Sequence, residues 1–312
     1  MQQTDNNNST YFDEEINFLE LFKILLEGKW IIVSLSAFVS IVSVIYSLSL
    51  PNIYESKALL APINTSSGIS GALEKYGSLA SLAGINLPSG PNENSTEKAL
   101  KKIVSLSFFE NNLLKNIYLP DLFAVKSWDP KTNTLTYDKN IYDLKTSTWI
   151  RDYSFPQQQI PSAQESFEVF IQDHLNLIED QKSGFIILSI KHQSPYIAKQ
   201  WVELIVNEVN EFYRQRDKLE SEKAISYLNK QFSTSGYSEI KQVLALLIQE
   251  ETKKLTLVEA NQLYIFDYID PPALMEKKSE PIRSLIIMLG TLLGLIMSIL
   301  IVFVRNYIGK KF

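Results

Sequence analysis

Two long tracts without any acidic or basic side chain constrain the fold more than any other feature of the chain. The first covers residues 30–50, and the second covers residues 284–304 between Arg283 and Arg305. At about 1.5 Å per helical residue, each tract spans about 30 Å as a helix, which is the thickness of the hydrocarbon core of a bilayer. We therefore predict two transmembrane helices, over residues 30–50 and 284–304.

A cleaved signal peptide is the alternative interpretation of the first tract. The tract follows an acidic amphipathic stretch at residues 13–27, and it exceeds the usual apolar region of about 7–15 residues. The junction Leu50-Pro51-Asn52 also lacks the small residues of a cleavage site. We expect an uncleaved anchor.

Basic residues near the tracts indicate the topology. Lys23 and Lys29 precede the first tract, and Arg305, Lys310 and Lys311 follow the second, which favours a cytoplasmic location for both termini. Further basic residues at 277, 278 and 283 weaken the contrast, although a long translocated domain is largely exempt from the rule. We predict a cytoplasmic segment at 1–29 that contains a short amphipathic helix, a periplasmic domain at 51–282 and a cytoplasmic tail at 305–312.

Composition excludes several classes of function. The chain has no cysteine, so thiolate zinc sites, thiol nucleophiles and disulfides are excluded. Its two histidines, His174 and His192, lack carboxylates at a metal-binding spacing, and we expect both to be structural. The net charge of −5 argues against nucleic acid as a partner. The acid pairs Glu179-Asp180 and Glu250-Glu251 show no sign of the convergent geometry that a glycosidase needs. We predict no catalytic residues, no metal and no cofactor.

The region between the tracts combines strands and helices. We predict strands at 54–61, 185–192 and 264–269, helices at 96–117 and 162–177, and an irregular region from 118 to about 160. Residues 65–91 are rich in Gly, Ser and Ala, and without a following Gly-Lys-Ser/Thr they indicate a loop or loosely packed helix rather than a phosphate site. A helix without Gly or Pro covers 196–232, and Ser238 can cap the next one.

These elements predict an α+β membrane protein in which two transmembrane helices flank a periplasmic α/β base domain with a long helical stalk. The base comprises about 51–195 and 262–282, and the stalk about 196–261. Residues 214–223 of the stalk carry seven charges, which is typical of a solvated face. In a ring of stalks, Arg214, Arg216, Asp217 and Glu220 could instead form ion pairs between subunits.

Small residues mark a packing face on both apolar tracts. Gly290 and Gly294 form a GxxxG pattern, and Ser36, Ser40, Ser43 and Ser47 follow one face of the first tract. Small residues allow close helix approach in lipid, so we expect these faces to meet within or between subunits. The alternative is that glycine is simply common in membrane helices.

Prolines precede the second tract. Pro271, Pro272 and Pro281 restrict the backbone and remove hydrogen-bond donors, so they are expected to fix the approach of the chain to the membrane. An ordinary linker is the alternative.

Several short motifs occur in a fixed order within this two-tract frame. They are Asp13-Glu14-Glu15-Ile16, Leu19-Glu20-Leu21, Leu50-Pro51-Asn52-Ile53-Tyr54, Ser81-Leu82-Ala83-Gly84-Ile85, Trp128-Asp129, His192-Gln193-Ser194-Pro195, and Asp270-Pro271 through Pro281. Together they resemble the Wzz-type chain-length determinants, also called class 1 polysaccharide co-polymerases. One departure lies in the proline-rich approach, where Glu280 separates Ser279 from Pro281.

The resemblance implies a bacterial inner-membrane protein whose periplasmic domain assembles into a ring-like homo-oligomer. It implies that the chain acts with the membrane polysaccharide polymerase on undecaprenyl-linked glycan, and that it sets the modal length of O antigen in lipopolysaccharide without catalysing a reaction. Regulation of capsule or of enterobacterial common antigen remains an alternative.

Two rivals come from other classes. A two-span sensor or channel-like protein predicts a signalling domain after the second tract, where eight residues follow Val304. A tyrosine-kinase co-polymerase requires a nucleotide-binding domain, and the sequence contains no Walker-type motif.

Overall fold

The computed structural model describes residues 18–63, 95–180 and 182–309, which form two units. The first unit contains the two ends of the chain, up to Leu50 and from Pro281 onward, and the second unit covers Pro51–Glu280. The start of the predicted amphipathic helix, at residues 13–17, and the Gly/Ser/Ala-rich stretch at 65–91 lie outside the described residues.

The described residues of the first unit form three helices, which are α1 (Phe18–Glu27), α2 (Lys29–Ser49) and α9 (Arg283–Gly309). Helices α2 and α9 are 21 and 27 residues long, and both are long and apolar enough to cross a membrane. Gly28 separates α1 from α2, and its backbone N–H still donates to the carbonyl of Ile24 at 3.0 Å. A Cβ at Gly28 would overlap the side chain of Val302 on α9, so glycine allows this close approach.

The second unit is built on a four-stranded antiparallel sheet in the order β6-β7-β1-β8. The strands are β1 (Tyr54–Pro62), β6 (Leu175–Glu179), β7 (Ile186–His192) and β8 (Phe266–Asp270). Strands β1 and β8, which begin and end the unit, pair directly with each other. Alternate residues of β7, Ile186, Leu188 and Ile190, are fully buried, as expected for a strand with one face on a core.

Helices cover one face of this sheet and fill the core. The shorter ones are α3 (Ser95–Ile103), α4 (Leu106–Phe108), α5 (Leu119–Phe123) and α6 (Ala163–Val169), with π-helical turns at Phe109–Leu113 and Phe170–His174. The long helices are α7 (Pro195–Thr234) and α8 (Ser238–Ala260). The first half of α7 packs on β1 and β7, where Ala198, Trp201, Ile205 and Val209 are buried.

The predicted fold class is confirmed: helices and strands are mixed, α7 is a single helix of 40 residues, and two apolar helices lie toward the ends of the chain. Several local predictions are wrong. The helix predicted at 96–117 is broken after Ile103, because Ser105 caps a new turn by accepting the backbone N–H of Phe108. The helix predicted at 162–177 ends at His174, because residues 175–179 pair with β7 as an edge strand. Ser238 is also the first residue of α8 rather than its cap, since Tyr237 occupies the cap position.

The region predicted to be irregular contains two hairpins, β2–β3 (Val125–Asp129, Thr134–Tyr137) and β4–β5 (Tyr142–Asp143, Thr148–Trp149). Both turns, and the turn between β6 and β7, begin with an aspartate. In each turn the aspartate carboxylate accepts the backbone N–H of the second residue after it and the side-chain hydroxyl of the third. The fourth residue after the aspartate has a positive φ. These sets are Asp129, Lys131, Thr132 and Asn133; Asp143, Lys145, Thr146 and Ser147; and Asp180, Lys182, Ser183 and Gly184.

Candidate functional site

Small residues of α2 and α9 lie directly against each other. A Cβ added at Gly290 would overlap the hydroxyl of Ser43. A Cβ added at Gly294 would lie 2.8 Å from Cβ of Val39 and 3.4 Å from Cα of Ser36. Any larger residue at either glycine therefore requires the two helices to separate.

A hydrogen bond lies between these two close contacts. The hydroxyl of Thr291 is 3.2 Å from the hydroxyl of Ser40, and the same oxygen donates to the carbonyl of Ile287 at 2.7 Å. Five of the six residues predicted as a packing face, Ser36, Ser40, Ser43, Gly290 and Gly294, are thus brought together within one chain. Their role in function stays a prediction.

The predicted prolines occupy different environments. Pro271 and Pro272 follow β8 directly, with Pro271 exposed and Pro272 buried. The next carbonyl, that of Ala273, accepts the hydroxyl of Ser56 on β1 at 2.9 Å. Pro281 belongs to the other unit and precedes α9. The expected role of these prolines in the approach to the membrane stays a prediction.

The two ends of the second unit are bonded side by side. The backbone N–H of Ile53 donates to the carbonyl of Glu280 at 2.9 Å, and the N–H of Ser279 donates to the carbonyl of Ile53 at 2.8 Å. The Glu280 carboxylate, which departs from the family pattern, accepts the ammonium of Lys191 at 2.6 Å, and this hydrogen bond raises the pKa of Lys191. Glu280 therefore ties the C-terminal end of the unit to the central strand β7.

The charged part of α7 makes contacts inside the chain. The carboxylate of Asp217 is largely buried and accepts the hydroxyl of Tyr264 at 2.8 Å and the guanidinium of Arg216 at 2.7 Å. The Arg216 guanidinium also lies 4.4 Å from the ring centre of Tyr213. Burial and the bond to Asp217 raise the pKa of Tyr264, so its phenol keeps its proton and remains the donor.

Of the four predicted stalk residues, Arg216 and Asp217 are therefore committed to this internal network. Arg214 pairs with Glu211 one turn earlier, and Glu220 lies 3.9 Å from Arg216 with its side chain mostly exposed. Contacts with a neighbouring subunit stay a prediction for all four residues.

Asn210 on α7 is a residue that the sequence analysis missed. Its side-chain oxygen accepts the backbone N–H groups of Tyr264, Ile265 and Phe266 at 3.0, 2.7 and 3.0 Å. Its amide nitrogen donates to the carbonyl of Phe266 at 3.1 Å. Because Asn210 is fully buried, this one side chain fixes the start of β8 to the long helix.

The two histidines form a stacked pair. The rings of His174 and His192 lie 5.6 Å apart with an interplanar angle of 28°, and both pack against Trp201 at 5.3 and 5.2 Å. The backbone N–H of Ser194 donates to Nδ1 of His192 at 2.9 Å, so the ring proton is on Nε2 and faces the carbonyl of Asp121 at 3.0 Å. Burial lowers the pKa of both histidines, that of His192 to about 4.

No three His, Asp or Glu side chains in residues 18–63, 95–180 and 182–309 come together in a way that could hold a metal ion. The features with defined geometry are therefore packing faces and polar networks, and they hold elements of the chain in place.

One family model matches part of the chain, and two solved structures align with it. Residues 14–104 match the family described as "Wzz: Chain length determinant protein". A solved structure titled "full-length bacterial polysaccharide co-polymerase" aligns with 94% of this chain and 99% of its own, at 15% identity and a TM-score of 0.39. A fragment of WzzB, a polysaccharide co-polymerase from Salmonella Typhimurium, aligns with 73% of this chain and 100% of its own, at 14% identity and a TM-score of 0.30.

A search of curated proteins gives no match. The resemblance that the sequence motifs indicated is confirmed as far as residues 14–104, which match the model of that family.

Proposed function

We propose that this chain is a non-enzymatic regulator of polysaccharide chain length in the bacterial inner membrane. The observation that carries the proposal is the family match over residues 14–104, which includes the first apolar helix and the first strand of the sheet. In this proposal α2 and α9 cross the membrane, both termini are cytoplasmic and residues 51–282 are periplasmic. The chain acts as a ring-like homo-oligomer with the membrane polymerase on undecaprenyl-linked repeat units.

The polymer is O antigen in this proposal, and the decisive experiment separates this role from the alternatives. A strain that lacks the gene is complemented with the full chain, and lipopolysaccharide is resolved as a ladder on a gel. Loss of the preferred length in the deletion strain, with total polymer retained, is the expected result. Loss of all polymer contradicts regulation and favours an enzyme or exporter, whereas an unchanged ladder with altered capsule or common antigen changes the polymer assigned.

Reporter fusions test the topology. Alkaline phosphatase, which is active only after export, is inserted in the break between α7 and α8 at residues 235–237, and a matched fusion follows residue 309. Activity at the first site together with inactivity at the second is expected. The reverse pattern contradicts the proposed orientation, and activity at both sites contradicts the presence of two spans.

A designed disulfide tests whether the two apolar helices pair within one subunit. The chain has no cysteine, so the double variant S40C/T291C introduces the only thiols, at two hydroxyl positions 3.2 Å apart. Oxidation in membranes should give an intramolecular crosslink. A37C/T291C is the matched control, because Ala37 lies on the exposed side of α2. Crosslinked dimers without intramolecular product would place this contact between subunits.

Charge reversal tests the proposed contacts between stalks. Arg214 and Glu220 keep partly exposed side chains, so R214E and E220R should each reduce chemical crosslinking between subunits if the stalks pair through them. The double variant R214E/E220R should restore crosslinking where the two side chains face each other. Exposed ion pairs contribute at most about 1 kcal/mol each, so we expect a reduction rather than a complete loss of crosslinking. Unchanged crosslinking in both single variants removes these residues from the interface.

A further inference from the structure

An aromatic cluster lies at one end of the sheet in the second unit. Trp128 contacts Tyr54 at 5.3 Å between ring centres in an edge-to-face arrangement, and it contacts Tyr196 at 6.2 Å. The three residues come from the start of β1, from the hairpin strand β2 and from the first turn of α7. Tyr196 is about half exposed.

Both chain connections toward the apolar helices leave the unit at this end. Tyr54 begins β1, and the preceding residue, Ile53, is bridged to Glu280. Four residues separate Tyr54 from Ser49, the last residue of α2, so the extended chain allows at most about 18 Å between them. Glu280 is three residues from Arg283, the first residue of α9, which allows at most about 11 Å.

The cluster has the chemistry of a membrane interface. Tyr and Trp rings are enriched at headgroup level because they combine an apolar ring with a polar group. Tyr196 is 48% exposed, so its ring and hydroxyl can reach solvent or headgroups. Lys126, two residues before Trp128, is exposed and can approach lipid phosphates.

The polar groups beside Trp128 argue against a glycan site. The Trp128 indole N–H donates to the side-chain oxygen of Asn133 at 2.9 Å. The Asp129 carboxylate accepts the N–H of Lys131 and the hydroxyl of Thr132 at 2.9 and 2.8 Å. These groups are therefore used within the turn, whereas recognition of a sugar requires polar groups directed at its hydroxyls.

We propose that the cluster of Tyr54, Trp128 and Tyr196, together with Lys126, rests on the lipid headgroups of the bilayer. The inference rests on the proposed membrane placement of α2 and α9. The cluster limits tilting of the periplasmic domain at the point where both connections reach the membrane.

Tryptophan quenching by brominated lipids tests the proposal on the full chain in nanodiscs. The chain has four tryptophans. Trp149 and Trp201 are buried and out of reach of the lipid, and Trp30 is exposed on α2. The variant W30F therefore leaves Trp128 as the indole that lipid can reach. Quenching by phosphatidylcholine brominated near the headgroup end of its chains should persist in W30F and be lost in W30F/W128F.

The outcomes are distinct. Equal fluorescence of W30F in brominated and unbrominated lipid overturns the inference. Protection of Trp128 from acrylamide by added lipid-linked glycan, without lipid quenching, assigns the cluster to glycan and also overturns it. Protection of Trp128 from acrylamide that depends on protein concentration assigns the cluster to a contact with a second copy of the chain, and this result also overturns the inference. The variant W128F keeps Trp30 as the indole that lipid can reach, so it reports on the membrane placement itself. If W128F is not quenched, the proposed spans fail, whereas quenching of W128F without quenching of W30F removes only this inference.

Discussion

Acidification below pH 6.5 should destabilise the second unit through His192. Burial lowers the pKa of this histidine from its ordinary value of 6.5 to about 4, and the neighbouring His174 ring adds to the effect. Above pH 6.5, His192 is neutral in both the folded and the unfolded chain. Between pH 6.5 and 4 the unfolded chain takes up a proton that the folded chain does not, so the free energy of unfolding falls as the pH falls.

The magnitude follows from the size of the shift. Each unit by which the pH falls within this window lowers the free energy of unfolding by about 1.4 kcal/mol. The contribution of His192 between pH 6.5 and 5 is therefore a loss of about 2 kcal/mol. Over the whole window it reaches about 3 kcal/mol, since one unit of pKa shift corresponds to 1.36 kcal/mol. The pKa of His174 is lowered as well, and its titration adds to the loss in the same direction.

The geometry explains why protonation is unfavourable in the folded chain. A proton on Nδ1 of His192 would face the backbone N–H of Ser194, the residue that precedes the first turn of α7. Two donors would then oppose each other at the start of the long helix. Two charged rings 5.6 Å apart would also repel each other, while the Asp173 carboxylate favours the charged form of His174. Burial raises the pKa of Asp121, so the folded chain takes up this proton before the unfolded chain does, which offsets part of the loss of stability on acidification.

Urea unfolding of the full chain in detergent, followed by tryptophan fluorescence in the W30F/W128F background, measures the effect between pH 7.5 and 5. Trp201 contacts both histidine rings and reports their surroundings directly. The variant H192Q should be less stable at pH 7.5 and should lose about 1.4 kcal/mol less per pH unit between pH 6.5 and 5. The double variant H174Q/H192Q gives the pH dependence of the free energy of unfolding that comes from all other groups. A slope in H192Q equal to that of the wild type refutes the reasoning.

Three further changes test the internal contacts. N210L leaves three backbone N–H groups without an acceptor and should lower the free energy of unfolding by about 3 kcal/mol or more, since each buried unpaired group costs about 1–3 kcal/mol; a loss below about 1 kcal/mol in urea would contradict the role of Asn210. Y264F removes one donor to the buried Asp217 carboxylate and should cost about 1.5–3 kcal/mol in the same assay, and an unchanged midpoint would show that Arg216 alone satisfies the carboxylate. In the S40C/T291C background, G290L should lower the yield of the disulfide between the apolar helices, whereas the control A37L, on the exposed side of α2, should leave the yield unchanged. Equal yields in both would remove the glycine from the contact.

The predictability of the fold varies with the type of signal. The apolar tracts and the strands β1 and β7 follow from composition and alternation, because both signals are local. The edge strand β6 does not, because residues 175–179 become a strand only by pairing with β7. The two hairpins could have been found, since the repeated Asp-x-Lys-Thr turns at Asp129 and Asp143 are a hairpin signal that repeats within twenty residues.

The small residues of the apolar helices show what a motif can establish. GxxxG at Gly290 and Gly294 indicates a face that permits close approach, and the serines of α2 provide a partner face of the same kind. The pattern leaves open whether the faces meet within one chain. In the structure Gly290 lies against Ser43 and Gly294 against Val39 of the same chain, and the disulfide between positions 40 and 291 tests whether this contact also forms within one subunit in the membrane.

The polar residues of α7 continue a buried face of the helix, which their sequence pattern alone does not reveal. Val206, Asn210, Tyr213, Asp217 and Ser221 follow one another at helical spacing, and all five are buried. The apolar stripe ends in the sequence where polar residues enter it, so the pattern from 214 onward predicts a solvated stalk. The buried face in fact continues, because β8 and the residues before it supply partners for Asn210 and Asp217. A helical period indicates which residues share a face, but the segment that packs on that face decides whether its polar residues meet water or a partner.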